Sequence, residues 1–186
     1  MVKLYMQDGR VKEYISAERI ALRVKELGER ISDEYRETSL LYVVGVLDGA
    51  FMFVADLVRH IRVPCRIGFI EASSYGSGMR SRGQVDVRCN LDIAGCDVLL
   101  IEDILDTGLT LHEIVGEFDK LQPASVQVCV LLDKPSQRRY PLEARYVGFD
   151  IPDRFVVGYG TDFDGRYREL PYIGYLENPD TGGREV

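Results

Sequence analysis

Val98-Leu99-Leu100-Ile101-Glu102-Asp103-Ile104-Leu105-Asp106-Thr107-Gly108-Leu109-Thr110 decides how this chain folds. Four apolar residues in a row run into paired acids, and a third acid opens a turn of small and hydroxyl residues. Charge beside an apolar strand is costly unless it is paired, so the end of this strand is a place where something binds. Beyond the turn, Leu111, Ile114, Val115 and Phe118 repeat at the spacing of one helix face. A strand, a glycine-containing turn and a helix start leave backbone N–H groups free at the positive end of the helix dipole, a seat for phosphate. Thr107 and Thr110 add hydroxyl donors, while Glu102 and Asp103 can hydrogen-bond a diol or help to hold a hydrated divalent cation. Together these groups describe a sugar phosphate. The plainer alternative is an acidic loop in which Asp106 merely caps the helix.

The 186 residues are 46% hydrophobic, enough for one domain with a real core and a small appendage. Asp and Glu outnumber Lys and Arg by 30 to 23, a net charge of −7. That argues against a nucleic-acid surface as the main business, since such binding rests on basic patches. No apolar run approaches the roughly 18 residues of a membrane helix, and Met1 to Asp8 lacks a signal-peptide core. A cytoplasmic protein with neither a membrane nor a nucleic-acid partner is expected. Cys65, Cys89, Cys96 and Cys129 form no Cys-x-x-Cys pair, which argues against a zinc or redox motif, and they read as buried thiols. His60 and His112 stand alone on helices and read as surface or helix-end residues.

Ser16 is placed to cap a helix reaching about Tyr35, with Ile20, Val24, Leu27 and Ile31 as its apolar stripe and Gly28 as a weak point. Leu40 to Leu47 reads as a strand, followed after Asp48-Gly49 by a helix from Ala50 to Ile61. Strands at about 65–72, 86–91, 97–103 and 125–132 and a helix at about 110–121 complete an α/β pattern. This alternation predicts a mainly parallel twisted sheet flanked by helices. After Pro135 come short strands at Tyr146 to Phe149, Phe155 to Tyr159 and Tyr172 to Leu176, broken by Gly, Pro and Asp. They are expected to form a small lobe with the N-terminal residues, over the carboxyl ends of the core strands where open α/β sheets bind ligands. One domain results, with its core at about residues 16–140 and its lobe from about 1–15 and 141–186.

The 98–110 stretch resembles the signature of the type I phosphoribosyltransferases: two acids after a hydrophobic strand, a third acid, then Thr-Gly and a hydroxyl residue. The resemblance implies that family's core with its small hood lobe. It also implies a site for 5-phosphoribosyl 1-pyrophosphate, with the 5-phosphate on Asp106, Thr107, Gly108, Leu109 and Thr110 and the ribose hydroxyls on Glu102 and Asp103. Val46 to Phe53, Ser73 to Gly76, Asp133-Lys134-Pro135, Phe155 to Asp162 and Arg168 to Gly174 look, in order and spacing, like the hypoxanthine-guanine members. Those members imply Mg2+-dependent transfer of the phosphoribosyl group to hypoxanthine or guanine, giving a nucleoside 5-monophosphate and pyrophosphate, in a homodimer or homotetramer.

By the same resemblance, Leu47, Asp48 and Gly49 form the pyrophosphate loop, whose backbone N–H groups bind the leaving group and whose Leu47–Asp48 peptide is expected to be cis. Many relatives are basic where this chain has Asp48, which removes a side-chain contact there, and Arg168 is the cation able to hold pyrophosphate through its planar fork. Leu109 likewise stands where relatives often carry Lys. Ser74 and Tyr75 belong to a lid over residues 73–85. Asp106 takes the N7 proton of the purine as N9 attacks C1, and Asp162 joins Glu102 and Asp103 as a metal ligand. Lys134 reads the 6-position: an ammonium has three donors and no acceptor, so it suits a 6-oxopurine and meets a donor on adenine. Phe155 stacks on the base, and backbone groups at Val156 and Asp162 meet its other edge. Two other readings stay open, a xanthine-preferring enzyme and a non-catalytic nucleotide-sensing regulator on the same fold.

Overall fold

The computed structural model describes residues 11–74, 85–88 and 91–176. Its centre is a pair of parallel strands, β2 (Leu41–Leu47) and β5 (Asp97–Leu105), whose residues 41–46 and 98–102 are buried without a break. A strand apolar on both faces needs cover on both, and the alternation of side chains divides it. Leu41 and Val43 face the stripe Ile20, Val24, Leu27 and Ile31 of α1 (Ala17–Glu34) and Phe53 and Leu57 of α2 (Phe51–Leu57). Tyr42, Val44 and Val46 face Leu111, Ile114 and Phe118 of α3 (Leu109–Asp119). Ser16 caps α1 as expected, its Oγ accepting from the Arg19 N–H at 3.4 Å. The helix expected from Ala50 to Ile61 is shorter, α2 passing into a 3₁₀ turn at Val58–His60.

β3 (Cys65–Ser74) and the antiparallel β4 (Val85–Arg88) extend the sheet on the far side of β2. β6 (Ser125–Asp133) and β7 (Tyr146–Asp150) extend it beyond β5, both parallel. The order is β4-β3-β2-β5-β6-β7. The chain therefore adds strands first to one side of β2 and then to the other, and the crevice at such a switch point, outside the carboxyl ends, is where open sheets bind ligands.

β7 corrects the sequence expectation, which assigned Tyr146 to Phe149 to the small lobe. Residues 134–145 carry only the 3₁₀ turn Pro135–Gln137, so the helix that usually announces a parallel neighbour is missing. Side chains of α1 secure this edge instead: Arg23 donates to the carbonyls of Gly148 at 2.9 Å and Val147 at 2.8 Å, and Glu34 accepts from the Tyr146 hydroxyl at 2.8 Å.

A second, antiparallel sheet has the order β1-β9-β8, from β1 (Val11–Ile15), β8 (Val156–Val157) and β9 (Ile173–Leu176). The Gly158–Thr161 turn of this small sheet touches the carboxyl end of β2, because a Cβ on Gly160 would lie 2.1 Å from the Gly49 carbonyl. The Tyr159 hydroxyl fastens the same turn to α2 by donating to Asp56 at 2.7 Å. Of the thiols, Cys129 is fully buried and burial pushes its ionisation up, whereas Cys65 and Cys96 are half-buried, and Cys89 lies outside the described residues. No helix among the described residues is long and apolar enough to cross a membrane.

Candidate active site

The carboxyl ends of β2 and β5 open onto a cavity of about 280 Å³ lined by Val46, Leu47, Ala72 and residues 102–111. The sequence makes this wall in two steps. β5 carries its apolar run to Ile101 and then presents Glu102, 8% exposed, and Asp103. Gly108 ends the following turn with φ of 87°, a left-handed backbone that side chains avoid, and serves as N-cap of α3. The cap is thus glycine, and Asp106 is free of that duty, which removes the plain capping alternative. The Oδ1 atom of Asp106 is buried and has no hydrogen-bond partner among the described residues. Leaving such a lone pair without a donor costs about 1–3 kcal/mol. Thr107 accepts from the Leu109 N–H at 3.4 Å through Oγ1, so its hydroxyl proton remains available.

Burial pushes the Glu102 carboxyl well above the usual range, with the Asp103 charge beside it adding to the effect. Burial also raises Asp103, against the opposing pull of the Arg168 charge. Asp103 accepts from the Ile104 N–H at 2.7 Å, and the Asp103 N–H donates to Glu102 at 3.2 Å, so both carboxyls are held in place by their own strand. Across the cavity mouth the Leu47–Asp48 peptide is cis, as expected. Arg168 links the two sheets here: it donates to the Gly160 carbonyl at 2.6 Å, pairs with Asp162 at 3.0 Å and comes within 3.9 Å of Asp48. Asp162 also accepts from the Gly165 N–H at 2.7 Å.

Lys134 follows the end of β6 and is joined to β5 by its own N–H, which donates to the Leu105 carbonyl at 2.9 Å. Its side chain is 8% exposed, and its ammonium reaches the half-exposed Asp153 only at 3.8 Å, beyond hydrogen-bond length. Phe155 and Val156 do not line the cavity at the ends of β2 and β5. Phe155 is 45% exposed, packs edge-on against Phe163 and borders a separate concavity with Tyr14, Arg154 and Tyr175. Val156 is buried and pairs with Tyr175 across the small sheet. Tyr75 and residues 76–84 of the expected lid lie outside the described residues, as does the side chain of Ser74. One contributor escaped sequence reasoning: Arg138, whose guanidinium donates to the Asp106 carbonyl and pairs with Asp133. Its only signal is a basic residue five positions after an acid at a strand end, which no periodicity singles out.

Residues 10–164 match the phosphoribosyl transferase domain family. The chain is 47% identical over 168 residues to the hypoxanthine-guanine phosphoribosyltransferase of Bacillus subtilis, covering 89% of this chain and 93% of that protein. It is 46% identical over 167 residues to the hypoxanthine phosphoribosyltransferase of Salmonella typhimurium, covering 88% and 94%. Among solved structures, a hypoxanthine phosphoribosyltransferase from Staphylococcus aureus superposes with a TM-score of 0.89 at 40% identity, over 95% of this chain and 97% of that one.

Proposed function

The chain belongs to the phosphoribosyl transferase family, and on that premise we propose that it salvages purines by transferring the 5-phosphoribosyl group of phosphoribosyl pyrophosphate to hypoxanthine or guanine. The observation that carries the site assignment is the buried Oδ1 of Asp106, without a hydrogen-bond partner among the described residues, in the turn that Lys134 joins through its N–H to the Leu105 carbonyl. A carboxylate without a donor in such a place is an acceptor kept for a ligand proton. The free N–H groups at the start of α3, with Thr107 and Thr110, take the 5-phosphate, and Glu102 and Asp103 take the ribose hydroxyls. Arg168 and the backbone of Leu47, Asp48 and Gly49 hold the departing pyrophosphate. Asp106 accepts the N7 proton while N9 attacks C1 with inversion. The Lys134 ammonium, with no hydrogen-bonding carboxylate among the described residues, donates to the 6-oxygen.

Mg2+ fits the donor set. It takes one or two carboxylates and completes its shell with water and substrate phosphate. Among the described residues no group of three or more ligating side chains exists, and Glu102 with Asp103 is the carboxyl pair on offer. Asp162, expected as a third ligand, pairs instead with Arg168 at 3.0 Å and forms no three-acid group with Glu102 and Asp103 among the described residues. When bound, the ion neutralises charge on the leaving group. Phe155 stacks on the purine and the Val156 backbone meets its edge, with Ser74 and Tyr75 in the closing lid. The core and the small sheet act as one catalytic domain, in the cytoplasm. Phe51, Ile67 and Phe69, each at least 40% exposed, offer apolar surface to a second copy in a homodimer or homotetramer.

Steady-state assays with four purines test the reading. Hypoxanthine and guanine are expected to turn over, and adenine to lose at least about tenfold in kcat/KM because an ammonium cannot accept from its amino group. Xanthine well ahead of both would replace the assignment by the xanthine-preferring alternative.

A further inference from the structure

We propose that Arg138 is a positioning residue that sets the place of the Asp106 carboxylate relative to Lys134, an inference that rests on the assignment of Asp106 as the base. The three carbonyls before Gly108 are all held by residues 134–140. The Leu105 carbonyl accepts from the Lys134 N–H at 2.9 Å, and the Thr107 carbonyl accepts from the N–H groups of Arg139 at 2.9 Å and Tyr140 at 3.1 Å. Between them, the Asp106 carbonyl is held by a side chain, the guanidinium of Arg138. The same guanidinium pairs with the carboxylate of Asp133, the residue before Lys134. Arg138 and Asp133 are only 19% and 14% exposed, so this pair is poorly screened by water.

The planar fork thus spans two strand ends: one nitrogen takes the backbone of the proton acceptor, the other takes the anchor of the base reader. Neither Arg138 nor Asp133 lines the phosphate cavity. They border a second cavity, of about 600 Å³, lined also by Pro141, Leu142 and Ala144. Arg138 therefore holds the Asp106 backbone without lining the cavity that Asp106 itself lines. Lys in its place offers a compact ammonium and cannot reproduce two parallel bonds. Small displacements of a general base are costly to the chemical step while leaving phosphate binding, which rests on the helix start and Thr hydroxyls, in place.

The test is a double-mutant cycle with chemical rescue. Arg138→Ala is expected to lower kcat roughly tenfold to a hundredfold while the KM values for both substrates stay within about threefold. Free guanidinium at a low, non-denaturing concentration can enter the second cavity, which Arg138 lines, and is expected to restore part of kcat, where sodium chloride at equal ionic strength is not. In an Asp106→Asn background the Arg138→Ala change is expected to add less than about twofold, because the group it positions is already disabled. Arg138→Lys, which keeps the charge, supplies a second variant with an intermediate kcat should Ala fold poorly. An unchanged kcat in both variants overturns the proposal. So does a loss that multiplies with Asp106→Asn and ignores guanidinium, which would mark a purely structural role. If Asp106→Asn itself leaves kcat intact, the assignment of the base fails first, and that outcome is separate from either result on Arg138.

Discussion

Asp106→Asn lowers kcat by about 10²–10⁴-fold, the range usual for loss of a general base. Asn keeps the shape of the side chain and can still fill the space around the buried Oδ1, but its amide takes no proton. The turn is fixed by contacts that this change leaves alone: the left-handed Gly108, the carbonyl bonds to residues 134–140 and the Arg138 guanidinium on the Asp106 backbone. Affinity for phosphoribosyl pyrophosphate should accordingly stay within about threefold, since the proposed seat of its phosphate is the helix start. Titration of phosphoribosyl pyrophosphate beside kcat on the wild type and variant checks both halves. An unchanged kcat removes Asp106 as the base, and a loss of kcat matched by a loss of binding reassigns it to holding the substrate.

Lys134→Met separates function from stability in the opposite way to a core substitution. Met is close in size and unbranched, and it removes an ammonium whose described carboxylate partner stands 3.8 Å away and half-exposed. Replacing a weakly paired buried charge by a packed apolar chain is often neutral or stabilising. The urea midpoint is expected to hold or rise. At the same time kcat/KM for hypoxanthine should fall about a hundredfold, because on the proposed assignment the purine 6-oxygen loses a charged donor in a dry place. The preference for hypoxanthine over adenine should shrink with it. Kinetics on both bases with urea unfolding of both proteins decide the matter, and an unaltered hypoxanthine-to-adenine ratio would show that Lys134 does not read the 6-position.

What could be read from the chain was what local order encodes. The apolar run at Val98 to Ile101 and the paired acids after it announced the central strand and the cavity wall, since burial on both faces leaves no other pattern. The stripe from Ile20 to Ile31 announced α1 for the same reason. Contacts between distant segments were less legible. Gly28 reads as a weak point in that helix, yet a Cβ there would lie 2.4 Å from the His60 Cβ, so the close approach of α1 to the turn at Val58–His60 requires it. The strand at β7 was legible but its place in the main sheet was not, because its crossover has no helix and its edge bonds come from Arg23, more than a hundred residues earlier. Arg138 was invisible because its partners are a backbone carbonyl and an acid brought together only by the pairing of β5 with β6. Phe155 and Val156, adjacent in sequence, part company in space, one half-exposed and one buried.

The most direct test of the account is turnover itself. The protein is incubated with hypoxanthine, phosphoribosyl pyrophosphate and Mg2+, and the purine nucleotide and pyrophosphate are quantified together. The account predicts the two products in one-to-one amounts, with formation of both stopped by excess chelator and restored by added Mg2+. Binding of phosphoribosyl pyrophosphate with no nucleotide formed would contradict it and favour the ligand-sensing regulator, and full turnover in excess chelator would remove the metal from the mechanism.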